Sequence, residues 1–172
     1  MLQTGLDVLV EKQLSKLDRK RVGIASHPAA VDRQLVDSAT RLIRAGVKLT
    51  ALFGPEHGYT GMVADGAPVE NSTDTRTGLP VYSLYGKTKE PTPEMLQGVD
   101  VLLFDMQDVG VRYYTFLSTL VYVLRGAARA NKPVMVLDRP NPINGTQREG
   151  PLVDPGFESF IGILPIPMRH GL

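Results

Sequence analysis

Glu56 and His57 stand at the apex of Gly54-Pro55-Glu56-His57-Gly58, directly after the apolar run Leu49-Thr50-Ala51-Leu52-Phe53. Gly and Pro fix a turn there. A carboxyl held beside apolar Phe53 is placed for general-acid work. The plainer alternative has Glu56 capping a following helix and His57 bonding a backbone carbonyl. A second polar group, Asp105-Met106-Gln107-Asp108-Val109-Gly110-Val111-Arg112-Tyr113-Tyr114, follows Val101-Leu102-Leu103-Phe104. Its carboxylates, amide, arginine and tyrosines are the mixture a sugar site needs, hydrogen-bonding groups plus aromatic faces. The alternative there is one Asp as a helix cap with Arg112 as its ion-pair partner. A third group, Asp138-Arg139-Pro140-Asn141-Pro142, follows Val134-Met135-Val136-Leu137. His27 follows Val22-Gly23-Ile24-Ala25-Ser26, and a lone histidine is more often satisfied locally.

These residues share one property: each follows a short apolar run that reads as a strand. In an open α/β sheet, parallel strands deliver their carboxyl ends to one crevice, where ligands bind. Apolar spacing predicts a helix over 4–17, with Thr4 and Asp7 as a capping box. It predicts strands near 21–26, 48–53, 80–84, 99–104 and 133–138. Helices are predicted over 35–45, with Val36, Ala39, Leu42 and Ile43 inward and Gly46 closing it, from Thr92-Pro93-Glu94 onward, and over 115–129. Residues 54–80 read as a long functional loop. The strands show little alternation, as in sheets covered on both faces. The fold class is therefore α/β, a Rossmann-like three-layer α/β/α sandwich with a mostly parallel sheet. Residues 1–140 form that domain. Residues 141–172, rich in proline, read as an extended segment leading toward a further domain, and the chain reads as cut in mid-segment.

At 172 residues the chain suits one domain. A net charge of +1 and the lack of a basic block argue against nucleic acid. Without cysteine, disulfides and thiolate chemistry are excluded, but the compartment stays open. No stretch reads as a membrane span or signal peptide. P-loop, Gly-x-Gly-x-x-Gly, His-Glu-x-x-His and Gly-x-Ser-x-Gly motifs are absent, so no cofactor is expected.

The three polar runs, with Thr4-Gly5-Leu6-Asp7 at the start and Pro167-Met168-Arg169-His170-Gly171 at the end, resemble the NamZ (YbbC-like) family of bacterial exo-β-N-acetylmuramidases, glycoside hydrolase family 171 and formerly a domain of unknown function. The likeness spans the whole chain. Ser26-His27-Pro28-Ala29-Ala30 departs from it, since Thr-Asn-(Pro or Gln)-Thr-Gly is commoner there. The resemblance implies a Rossmann-like N-terminal domain, a smaller C-terminal domain and an active site between them. It implies release of terminal, non-reducing N-acetylmuramic acid from peptidoglycan fragments, with Glu56 catalytic.

On this reading Glu56 protonates the leaving oxygen, and Asp105 or Asp108 activates water or steadies charge at the anomeric carbon. Alternatively the substrate's acetamido group is the nucleophile. Arg112 binds the lactyl carboxylate. His57, Gln107, Tyr113, Tyr114, Asp138, Arg139, Arg169 and His170 complete the substrate-binding set. Two other classes remain open: a non-catalytic sugar- or nucleotide-binding module, and a metal-dependent hydrolase using Asp105, Asp108 and His57. The family link suggests the cell envelope or secretion, and cytoplasmic recycling fits equally.

Overall fold

The computed structural model describes residues 2–171. Three helices, α1 (Gly5–Lys12), α2 (Ser38–Arg44) and α3 (Thr115–Arg129), flank six strands: β1 (Val22–Ser26), β2 (Leu49–Gly54), β3 (Ser72–Thr73), β4 (Pro80–Ser83), β5 (Val101–Asp105) and β6 (Val134–Val136). The strand order is β3-β4-β2-β1-β5-β6. Every pairing is parallel except that of the two-residue β3 with β4.

Strand alternation explains the three layers. Val22 and Ile24 of β1, Leu52 of β2, and Val101 and Leu103 of β5 pack on one face with Leu6 and Leu9 of α1 and Ala39 and Leu42 of α2. Ala25, Ala51, Phe53, Leu102 and Phe104 point the other way, onto Phe116 and Val123 of α3 and Leu96 and Val99. Both faces are covered, so β1 and β5 are buried along their whole length.

Helix ends follow local chemistry. The Thr4–Asp7 capping box forms, but α1 stops at Lys12, and a single 3-10 turn carries the chain over 14–17. α2 begins later than its spacing predicts because Asp37 caps it, accepting from the Thr40 N–H at 3.0 Å. Its Ile43, predicted inward, is exposed. Gly46, with φ +85°, closes the helix as predicted. No helix follows Thr92: the chain makes only turns, with Leu96 N–H donating to the Thr92 carbonyl at 3.1 Å. The few residues between Pro93 and β5 leave no length for a helix with its costly nucleus. α3 matches its predicted span.

The strand order reverses between β1 and β5, the crevice where such sheets bind ligands. Here that position is filled by structure. Asp105 closes β5 with 0% exposure. Arg139 Nε donates to its Oδ1 at 2.6 Å, Arg139 Nη2 to Oδ2 at 3.1 Å, and Ser38 Oγ to Oδ2 at 2.5 Å. Arg139 Nη1 also donates to the Val31 carbonyl at 3.1 Å. His27 lies alongside, its Nε2 accepting from the Gln107 N–H at 3.0 Å and its ring edge-on to Phe116 at 4.6 Å. Asp105, expected as a catalytic carboxylate, and Arg139, expected as a substrate contact, are thus engaged inside the protein through both carboxylate oxygens and all three guanidinium nitrogens.

Residues 141–171 contain no helix or strand, yet they do not trail away. Arg112 N–H donates to the Met168 carbonyl at 2.8 Å and His170 N–H to the Gly110 carbonyl at 3.0 Å. Glu149 and Arg169 exchange two backbone hydrogen bonds, at 3.1 and 2.9 Å. The expected extended segment is thus folded back onto the loop after β5.

Removing one partner of a buried ion pair strands the other, at about 3–5 kcal/mol. Arg139→Ala should therefore lower unfolding free energy by about that amount, and the paired replacement Asp105→Leu/Arg139→Met should recover much of it, as read by urea titration. His27 supplies a pH test. Burial holds its pKa at about 4, below the usual 6.5, with Arg139 adding to the depression and Asp105 opposing it. The unfolded chain then binds more protons between those values, so stability falls as pH drops through that window, at up to about 1.4 kcal/mol per pH unit from this group. NMR titration of the ring should show no midpoint near 6.5, and His27→Gln should flatten that part of the stability curve.

Candidate functional site

The group left open to chemistry lies one strand over, at the carboxyl end of β2. Gly54 ends β2, where a Cβ would run into the Tyr59 backbone nitrogen, so only glycine lets the turn fold so closely. Gly58 N–H donates to the Pro55 carbonyl at 2.9 Å, which leaves Glu56 and His57 at the turn's apex. His57 carries φ +68°, a left-handed conformation that costs a non-glycine residue about 1–2 kcal/mol. Residues held in such strain cluster at functional sites.

His57 is clasped to Val63 twice. Its carbonyl accepts from the Val63 N–H at 3.1 Å, and its Nδ1 lies 3.1 Å from the Val63 carbonyl. A carbonyl only accepts, so Nδ1 carries the hydrogen. The clasp turns the loop back, and Ala67 N–H closes the next turn on the Ala64 carbonyl at 3.2 Å. Asp65 is thereby delivered to Glu56 and His57: one polar atom from each lies within 4.8 Å of the others. The loop's far side is pinned by Val69 N–H donating to the Tyr85 carbonyl at 2.8 Å.

Tyr85 completes the group. Its hydroxyl donates to Glu56, and this bond, then burial, then the charges of Glu56 and Asp65 hold the phenol above its ordinary range. The Tyr85 ring is braced by Phe160, with centroids 5.4 Å apart, and Lys89 Nζ sits 4.2 Å from the Phe160 ring centre. Glu56 is 8% exposed, whereas Asp65 is open to solvent. Of the two plain alternatives for this motif, one holds: His57 bonds a backbone carbonyl. No helix follows for Glu56 to cap.

The other expected residues lie elsewhere. Asp108 Oδ2 accepts from the Gly110 N–H at 3.1 Å and lies 3.6 Å from His170 Nε2. Asp108 and Asp138 both line a mostly apolar cleft of about 240 Å³ over α3. Gln107 Nε2 is shared between the Asp108 and Pro140 carbonyls at 2.7 and 2.9 Å. Arg112, expected to take a lactyl carboxylate, holds the tail through Nη1, which donates to the Pro151 and Ile166 carbonyls, both at 2.7 Å. Tyr114 packs on Phe116 at 4.7 Å, while Tyr113 is exposed. Arg169 pairs with Glu149 at 2.9 Å, and His170 is 2% exposed. Sequence reasoning missed Asp65 and Tyr85. Asp65 lay inside the stretch read as a functional loop, but nothing local tied it to Glu56.

Among the described residues, Glu56, His57 and Asp65 are the group whose donor atoms could share a metal ion. Carboxylates with an imidazole suit several divalent cations. The metal set considered from sequence, Asp105, Asp108 and His57, is not brought together, because Asp105 is sealed by Arg139 and Ser38.

The chain is 49% identical over 172 residues to the peptidoglycan β-N-acetylmuramidase NamZ of Bacillus subtilis (strain 168), covering 99% of this chain and 42% of that protein. Crystal structures of two DUF1343-family proteins from Bacteroides fragilis superpose with TM-scores of 0.91 and 0.82, at 47% and 31% identity. They cover 99% and 98% of this chain, and 43% of each of those chains. The chain thus spans about two fifths of the length of these relatives. The family model described as exo-β-N-acetylmuramidase NamZ, N-terminal, matches residues 22–172, and the chain belongs to that family.

Proposed function

We propose that this chain is the N-terminal part of an exo-acting β-N-acetylmuramidase that removes terminal N-acetylmuramic acid from peptidoglycan fragments. The observation that carries this reading is the Glu56 turn: a nearly enclosed carboxyl, hydrogen-bonded by Tyr85, on the carboxyl edge of the sheet. The similarity to the B. subtilis β-N-acetylmuramidase supports the substrate. Glu56 protonates the glycosidic oxygen as the bond to the anomeric carbon breaks. Tyr85 orients the carboxyl, and His57 borders the sugar. The substrate is an amino sugar bearing a lactyl carboxylate, and the compartment is that of its peptidoglycan source, the cell envelope or the exterior.

Glu56→Gln keeps the shape of the side chain and removes the titrating proton. In the full-length protein, kcat on a muramic acid-terminated disaccharide should fall by at least ~10²-fold with the thermal midpoint unchanged. Turnover near the parent level would end this assignment.

The spacing of Glu56, His57 and Asp65 favours a second reading, a metal-assisted hydrolase. Under the glycosidase reading, dialysis against EDTA leaves turnover unaltered. Loss on chelation, restored by a divalent cation, would transfer the assignment to the metal.

A further inference from the structure

The glycosidase reading leaves one chemical role without a residue. Cleavage by paired carboxylates needs a second group opposite the acid, either a nucleophile about 5–5.5 Å away or a base ~6.5–9.5 Å away with a water between. Asp105 cannot serve, because Arg139 and Ser38 occupy both of its oxygens and it is 0% exposed. Asp108 leaves the sheet from β5, two strands from β2, or about 10 Å at the usual strand spacing of ~4.8 Å. It is further committed to Gly110.

Asp65 is free of both objections. Resting on Glu56 as the acid, we propose that Asp65 is the catalytic nucleophile and that the enzyme retains configuration at the anomeric carbon. Its oxygen and that of Glu56 approach within 4.8 Å, on the short side of the gap that separates the two mechanisms, too close for a water to be held between them in line. The carboxylate is exposed, so it can meet a sugar, while its companion is enclosed. The clasp of His57 on Val63 fixes where it arrives, two residues later. Tyr85, which bonds Glu56, also feels the Asp65 charge, so the three groups face one another.

The steps balance. An Asp65 oxygen attacks C1 of the muramic acid as the bond from C1 to the leaving oxygen breaks. The electron pair leaves with that oxygen, which takes the proton from Glu56. A glycosyl ester on Asp65 remains, with the Glu56 carboxylate now ionised. Water then attacks C1 and gives its proton to Glu56, while the ester bond returns its electron pair to Asp65. Two inversions restore the β configuration.

The test uses the full-length protein and an aryl β-N-acetylmuramide. Proton NMR during the first turnovers should show the β-sugar before mutarotation. Asp65→Asn should lose at least ~10²-fold in kcat without a change in thermal midpoint. Asp65→Gly with azide should regain turnover and yield the α-glycosyl azide, a readout no structural role provides. First formation of the α-sugar, near-parent activity in Asp65→Asn, or failure of azide to rescue would each overturn the proposal. The last outcome covers a reaction run through the substrate's own acetamido group. Glu56→Ala separates the two claims. With azide it should yield the β-azide, and near-parent turnover of a muramic acid-terminated disaccharide by this variant without azide would sink the acid assignment, while the azide result at Asp65 still stands or falls alone.

Discussion

The buried pair of Asp105 and Arg139 is the constraint around which the rest of the carboxyl edge is arranged. Two opposite charges taken out of water must satisfy each other, and every remaining donor must find an acceptor. Here that demand reaches across four pieces of chain: the end of β5, the exit from β6, the first residue of α2 through Ser38, and the Val31 carbonyl in the loop after β1. A half-satisfied network of this kind would be worse than none. The segments are consequently held in register with one another. His27, in the same cluster, is kept neutral by its burial and used as an acceptor for the Gln107 N–H. The switch point of the sheet is occupied by this network, and the candidate site stands beside it, at the end of β2.

Sequence reading placed the edge correctly because the signal is physical. Buried parallel strands must be apolar throughout, so the first polar residue after each marks its carboxyl end. That signal says where a side chain emerges and nothing about what it meets. Asp105 and Arg139 are charged residues at or after strand ends, just as Glu56 is, and only the fold shows that the first two neutralise each other. The same limit explains α2 and the segment after Thr92. Asp37 and Thr92 both carry capping chemistry, but the length of chain before the next strand decides whether a helix forms. Asp65 and Tyr85 were illegible for a different reason. Their link to Glu56 runs through the His57–Val63 clasp and the Val69–Tyr85 bond, contacts made largely by backbone groups that every residue type possesses.

The polar run after β5 shows how a motif rich in chemistry can serve packing. An arginine offers five N–H donors in a fixed fork, suited to carboxylates but equally to converging carbonyls. Arg112 takes the second option, gathering Pro151 and Ile166. Around it, Val111 bridges Arg169, and Glu149 bridges Arg169 from the other side, so three stretches without regular strands are joined by two antiparallel bridges. Proline-rich chain cannot build a sheet of its own, since each proline lacks an N–H. Borrowing donors from the 110–112 loop solves that shortage.

The candidate site is divided between a stiff base and a looser arm. Glu56 stands on the turn that directly continues β2 and is enclosed by the fold. Asp65 stands on the open loop and depends on few hydrogen bonds for its place. Opening of that loop would separate the two carboxyls without disturbing the core, because neither of the two apolar clusters draws on residues 60–78. Local stability of this kind is set by how many buried contacts must break, and here they are few. The strain at His57 belongs to the same arrangement. A left-handed histidine persists only while the Val63 clasp and the Gly54 and Gly58 turns over-determine it, so the conformation that brings Asp65 to Glu56 is the one the turn has been bent to hold.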